Sequence, residues 1–238
     1  MSTLSNILKS SVPRYKIKQP STNKKVEFRP FLVKEEKVLL QAQETDNNET
    51  SMLLAIKGVI ESCFDDISDA GNLPIFDIEY MFINLRAKSV GEVVNPTIVC
   101  PYTNEEVSVT INLGDIQVNT YKNHTNTIHV AENIILEMMY PSIKILSERD
   151  VDYDDPLSFY DLIVDCIRTI ETPEETINVQ ELSRSEIQQF VDNMTKEQFD
   201  KILDFFLTAP KLEHIVQYET SDGEAREVVL RGLSDFFA

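Results

Sequence analysis

Asn95-Pro96-Thr97-Ile98-Val99-Cys100-Pro101-Tyr102-Thr103-Asn104-Glu105-Glu106-Val107-Ser108-Val109-Thr110-Ile111-Asn112-Leu113-Gly114-Asp115 consists of two alternating runs around a turn that opens Cys-Pro. The alternation of Glu106, Ser108 and Thr110 with Val107, Val109 and Ile111 predicts strands with one wet and one buried face. The turn has the opening of a zinc knuckle, which needs a second thiolate two residues further on. Thr103 is the residue that follows at that spacing. Zinc takes four nitrogen or sulfur ligands in a tetrahedron. Cys63, Cys100 and Cys166 are scattered, and no Cys-x-x-Cys occurs. The segment therefore reads as a β-hairpin with the shape of a metal knuckle and without its ligands. A structural or interaction role fits such a hairpin better than catalysis.

Upstream, residues 14–18 and 25–31 also alternate, and Ser21-Thr22-Asn23 supplies turn chemistry between them, so a second hairpin is expected. Its lysines suit an edge strand, where charge deters stray pairing. Residues 32–43 place Val33, Lys37 and Leu40 at helical spacing. Residues 50–64 repeat Leu53, Ile56, Ile60 and Cys63, and residues 75–89 repeat Ile78, Met81, Phe82 and Leu85 behind Pro74; each forms an apolar stripe.

Downstream, residues 127–130 and 134–140 read as strands ended by Pro141. After an acidic connector at 151–155 the period becomes helical. Asp155 can cap and Pro156 fits the first position, with Leu157, Tyr160, Ile163, Ile167 and Ile170 as the expected buried face. Ser183 to Glu186 and Thr195 to Gln198 are capping boxes opening two further amphipathic helices. Residues 214–218 and 226–230 flank Ser221-Asp222-Gly223, a hairpin signal. The expected class is α+β, with roughly six helices and two or three small antiparallel β elements. Three regions are expected: a basic arm at 1–31, an α+β region with central hairpins at 32–150, and an acidic helical region at 151–238.

The net charge of −18 is uneven. Residues 1–40 hold nine Lys/Arg against three Asp/Glu, a net of +6, whereas residues 148–238 hold eight against 22, a net of −14. A basic arm can meet an acidic partner while the body repels nucleic acid and anionic membrane. Plain solvation is the other reading of the same charges. No apolar run approaches the length of a membrane span, and residues 1–11 lack the apolar block of a signal peptide. Unpaired cysteine spacings suit reduced thiols, each read most simply as a small buried hydrophobe.

Catalytic motifs are missing from the sequence. His124, His129 and His214 lie in no recognisable arrangement, and the six glycines are isolated, which removes a phosphate-cradling loop. The acidic run at 150–155 superficially resembles a calcium loop but lacks its central Gly and its closing Glu. Asp65, Asp66 and Asp69 read in the same way. A metal-dependent enzyme using these clusters is one alternative function, and a nucleic-acid binder using the basic arm is another. No cofactor is expected. The residues with partner-binding character are Tyr15, Lys16, Lys18, Lys24, Lys25 and Phe28 in the basic arm, and Phe236 and Phe237 at the C-terminus. The two terminal rings either fold into the core or anchor in a partner pocket.

Four stretches together resemble one family, the baseplate hub assembly proteins of T-even-type contractile-tailed phages. They are residues 80–92 (Tyr80-Met81-Phe82 running into Arg86-Ala87-Lys88-Ser89-Val90-Gly91), Cys100-Pro101, residues 205–214 (Phe205-Phe206 to Pro210-Lys211-Leu212), and residues 232–237 (Gly232-Leu233-Ser234-Asp235-Phe236-Phe237). The order is that of the family. Members of this family often carry paired cysteines at both hairpins, as in a zinc ribbon; here only Cys100 remains. The resemblance implies a non-enzymatic role in building the hub through contacts with other hub or tail proteins. It implies action in the host cytoplasm during assembly or residence in the virion tail. Without metal, apolar packing of Val99, Val107, Ile215 and Val228 is expected to join the two hairpins.

Overall fold

A computed structural model describes residues 11–44, 49–147 and 156–237. The chain divides into two compact units. One comprises the residues up to Asn119 together with those from Lys211 onward; the other is Thr120–Pro210. The expected division at 150/151 falls inside the second unit, because the C-terminal hairpin packs with the N-terminal elements.

The first unit opens with strands β1 (Tyr15–Lys18) and β2 (Lys25–Phe28), paired antiparallel with Tyr15 opposite Phe28 and Lys18 opposite Lys25. Helices α1 (Val33–Glu44), α2 (Glu49–Cys63) and α3 (Ile75–Ser89) follow. The stripes of α2 and α3 are buried as their spacing requires: Ile56, Ile60, Cys63, Ile78, Met81 and Leu85 lie inside. On α1 the outcome differs. Val33 and Leu40 are 66% and 52% exposed, and the one buried side chain is Glu35. Glu35 accepts from the Leu32 backbone amide at 2.8 Å and from Arg29 at 2.8 Å, so a cap and an ion pair orient this helix rather than an apolar stripe.

The opening stretch forms short strands β3 (Val93–Val94), β4 (Thr97–Val99), β5 (Glu106–Ser108) and β6 (Ile111–Asn112), with β3 pairing β6 and β4 pairing β5. Strand β7 (Gln117–Asn119) leads out of the unit. The chain returns as β12 (Lys211–Glu219) and β13 (Ala225–Arg231), giving a sheet of order β13-β12-β7, and ends in the short helix α8 (Gly232–Phe237). Ile83, Ile98, Cys100, Ile111, Leu113, Ile116, Val216, Tyr218, Leu230 and Phe236 share one core here.

The second unit holds β8 (Thr127–Ala131), β9 (Ile134–Met138), α4 (Ile143–Ser147), α5 (Pro156–Asp165), β10 (Ile167–Glu171), β11 (Thr176–Asn178), α6 (Arg184–Asp192) and α7 (Lys196–Thr208). Its sheet runs β11-β10-β9-β8. Helix α5 stops at Asp165, so Ile167 and Ile170 belong to a strand and not to the expected helix. Side chains three apart on a regular strand face opposite ways. A register shift between Ile167 and Thr169 against β9 turns both isoleucines inward, at 1% and 4% exposure. Both capping boxes form, with Ser183 and Thr195 each accepting from the third residue of its helix. The fold is α+β, with eight α-helices and small antiparallel sheets among the described residues.

Candidate functional site

The basic hairpin is built from both ends. At its tip the Gln19 and Lys24 backbones pair (N–O 2.9 Å), and Asn23 closes the turn at φ 56°. Asn is among the few residues that adopt this left-handed conformation readily. The tip is fastened by Asp77 in the first turn of α3. Asp77 is fully buried and accepts from the Ser21 amide (2.9 Å), the Gln19 side-chain amide (2.7 Å) and the Ser21 hydroxyl. Burial raises the Asp77 carboxyl, opposed by these hydrogen bonds. At the base, Phe28 stacks on Phe64 with ring centroids 4.9 Å apart. The Arg29 amide donates to the Cys63 carbonyl at 3.1 Å.

This frame separates the candidate residues. Phe28 is 1% exposed and is core. Tyr15 is half-buried against Phe28 (5.7 Å), with the Lys88 ammonium 5.5 Å from its ring. Lys16 pairs with Glu27 across the strands at 3.1 Å. Lys18, Lys24 and Lys25 are exposed, and no ion pair among the described residues engages them. The two C-terminal rings lie elsewhere. Phe236 is 1% exposed inside the core of the first unit, and Phe237 is half-buried, edge-on to Phe82 with the Arg86 guanidinium 5.0 Å above it. Both rings hold the terminus, so the open part of the set is the lysine tip.

The Cys100 turn retains the knuckle shape. The Cys100 amide donates to the Glu105 carbonyl (2.8 Å), the Asn104 amide donates to the Cys100 carbonyl (2.9 Å), and Asn104 takes φ 56°. Burial pushes the Cys100 thiol up. The polar groups gathered around it, Thr103, Tyr218 and the Tyr102 and Thr103 amides, outweigh burial and bring it down to about 7. The Tyr218 hydroxyl is buried near this sulfur and makes no hydrogen bond. One sulfur among hydroxyls does not fit a zinc ion. Among the described residues no three His, Cys, Asp or Glu side chains are grouped to hold a metal.

Apolar packing joins the two hairpins through one shared core, but with half of the expected quartet: Val107 and Val228 pack against it, whereas Val99 and Ile215 are each 60% exposed. Polar groups add a clasp between this turn and the β12–β13 turn. The Ser221 amide donates to Glu105 at 3.3 Å, and the Arg226 guanidinium lies 5.6 Å from the Tyr102 ring. Asp222 fixes that guanidinium through two hydrogen bonds, at 2.9 and 2.7 Å. Thr103 and Tyr218 were legible in the sequence only as non-ligands; the approach of Tyr218 to Cys100, far apart in the chain, has no local signal.

The catalytic alternatives find little. In the second unit, Thr208 donates its hydroxyl hydrogen to the Asp204 carbonyl (2.6 Å) and therefore accepts from His124 Nδ1 (2.9 Å). His124 Nε2 is then the acceptor for the Tyr140 hydroxyl (2.8 Å), in a neutral ring whose pKa burial lowers. Both ring nitrogens are occupied. Asp65 pairs with Arg14, and Asp69 accepts from the Gly71 amide and from Asn72. The acidic run at 150–155 lies outside the described residues. Among the described residues no helix is long and apolar enough to cross a membrane.

Comparison with known proteins defines the class. The family described as T4 bacteriophage base plate protein matches residues 12–238, and the chain belongs to it. The protein is thus a phage baseplate structural or assembly protein. It is similar to the baseplate hub assembly protein gp26 of Enterobacteria phage T4, with 26% identity over 224 residues, covering 94% of this chain and 97% of that protein. No solved structure matches.

Proposed function

We propose that this protein is a non-enzymatic subunit or assembly factor of a phage baseplate hub that works by protein–protein contact, with the lysine tip of β1–β2 as its docking element. The supporting observation is the pairing of Lys18 directly opposite Lys25, beside Lys24, on a turn that buried Asp77 holds rigid. Like charges directly opposite on a sheet repel, and an acidic protein surface relieves that repulsion. A rigid element loses little entropy on docking. Exposed rim charges of this kind govern association rate and register. Membership in the baseplate family and similarity to a hub assembly protein indicate hub or tail proteins as the partners. Assembly takes place in the host cytoplasm and the product is the tail baseplate. The net charge of −18 weighs against nucleic acid and anionic membrane as partners.

The test is recovery of baseplate proteins from infected cells by the tagged chain and by its Lys18→Glu/Lys24→Glu/Lys25→Glu variant. The expected result is a drop in recovery of about tenfold, as loss of an electrostatic docking contact produces. Equal recovery overturns the reading. Charge reversal is preferable to deleting the arm, since Val26 and Phe28 are core residues.

A further inference from the structure

We infer that the lysine tip docks on a second copy of this chain, at the turn that presents Tyr102. This rests on the reading that β1–β2 is a protein-contact element, and it names the partner.

Tyr102 is 77% exposed, yet it is held in place. Its turn is closed by the Cys100–Glu105 and Asn104–Cys100 backbone bonds, braced by the Thr103 hydroxyl on Glu105 (3.0 Å), and joined to Ser221. Arg226, locked by Asp222, supports the ring from one side. Rigid aromatic side chains beside Arg are the residue types that dominate interface energetics. A ring in water that the fold takes trouble to orient has the character of an anchor.

The charges around the two tips are complementary. Residues 99–106 and 218–227 carry Glu105, Glu106, Glu219, Asp222, Glu224 and Glu227 against Arg226, a net of −5. Residues 14–25 carry Arg14, Lys16, Lys18, Lys24 and Lys25. Arg14 pairs with Asp65 and Lys16 with Glu27, which leaves the three lysines of the tip. No ion pair among the described residues engages Lys18, Lys24, Lys25, Glu106, Glu219, Glu224 or Glu227. The exposed ring face of Tyr102 also suits a lysine ammonium. Both tips belong to the first unit, so one copy offers a donor end and an acceptor end. The contact is head-to-tail and propagates into a ring or an open array. The chain's overall negative charge opposes association at long range. Screening limits that opposition to roughly 8 Å at physiological salt, while contacting charges are screened less.

The test uses the purified full-length chain in sedimentation velocity at about 0.05 M and about 0.5 M salt. Wild type is expected to self-associate at low salt and to weaken at least tenfold at high salt, as opposite-charge docking does. Lys18→Glu/Lys24→Glu/Lys25→Glu and Glu219→Lys/Glu224→Lys/Glu227→Lys are each expected to be monomeric. Mixed together they are expected to associate again, because the intact lysine tip of one meets the intact acidic turn of the other and the two reversed ends are complementary as well. Tyr102→Ala is expected to weaken self-association about tenfold. All these side chains are exposed, and unchanged melting confirms that the variants fold. A wild type that stays monomeric at both salts overturns the inference. So does a mixture that fails to pair, or association that strengthens with salt. If the lysine variant loses baseplate proteins in infected cells while purified wild type stays monomeric, the docking element stands and its partner is another protein.

Discussion

The backbone amide of Ser21 donates to the buried carboxylate of Asp77 at 2.9 Å, joining positions 56 residues apart. The same carboxylate takes the Gln19 amide and the Ser21 hydroxyl, so three donors of one turn converge on one group in the first turn of α3. The lysine tip therefore moves with the core of the first unit and does not swing as a free arm. Its direction is a property of the fold.

Asp77→Ala leaves those donors without their acceptor in a buried place. Stranding buried hydrogen-bonding groups of a charge-assisted cluster costs about 3 kcal/mol. The expected outcome is a loss of that size in urea unfolding, with new protease cleavage near residues 18–25. Asp77→Asn, which keeps one acceptor oxygen, is expected to lose less. A change below about 0.5 kcal/mol for the alanine variant would show that the turn is held by other means.

Glu79, two residues on, gives a pH signature. Burial raises its carboxyl from 4.5 to about 7. The folded state thus prefers the protonated form. The associated stability is fully present below about pH 4.5 and is lost as pH rises through about 7. Glu79→Gln mimics the neutral form. It is expected to match wild type at pH 4.5 and to exceed it at pH 8 by about 2 kcal/mol, less than the full linkage value because the carboxyl retains some water contact. Thermal melts of both proteins across this range check it, and parallel curves would refute it. Gly232, at φ 64°, lies against this carboxylate: an added Cβ would stand 3.1 Å from Oε1.

Elements written in local spacing were readable without coordinates. The two capping boxes need only residues i and i+3, and the β1–β2 hairpin needs only alternation around a polar turn. Ile167 and Ile170 were misleading, because a three-residue spacing satisfies a helix face and a bulged strand alike. Val33 and Leu40 misled for the opposite reason: their helix is oriented by Glu35 and Arg29, whose pairing is polar. The anchor of the candidate site, Asp77 to Ser21, and the clasp between Glu105 and Ser221 join residues 56 and 116 apart, where sequence carries no register.

The capping boxes allow a quantitative check on the second unit. The Ser183 hydroxyl accepts from the Glu186 amide and the Ser183 amide donates to the Glu186 carboxylate; Thr195 and Gln198 do the same. Ser183→Ala and Thr195→Ala each remove one cap and are expected to cost about 1 kcal/mol. The boxes open different helices and share no hydrogen bond, so the double variant is expected to lose about 2 kcal/mol. Denaturant midpoints with unchanged slopes test this. Strong non-additivity would mean that α6 and α7 fray as one element.

The metal-like knuckle supplies the sharpest contrast. A turn that depends on zinc collapses with chelator, because binding free energy is folding free energy in such sites. Here Glu105 joins the two turns by accepting from Thr103 and from the Ser221 amide, and Cys100 is closed over by Tyr218 and Thr103. Excess chelator is therefore expected to leave the melting temperature unchanged. Glu105→Ala is expected to lower the melting temperature, because it removes the acceptor of the clasp between the two turns. It should also increase exchange of the Ser221 amide. A chelator-induced drop in melting temperature would place a metal where the donor set of Cys100, Thr103 and Tyr218 gives it no second sulfur. Equal stability of Glu105→Ala and wild type, with an unchanged Ser221 amide, would leave the joint between the turns to their shared core alone.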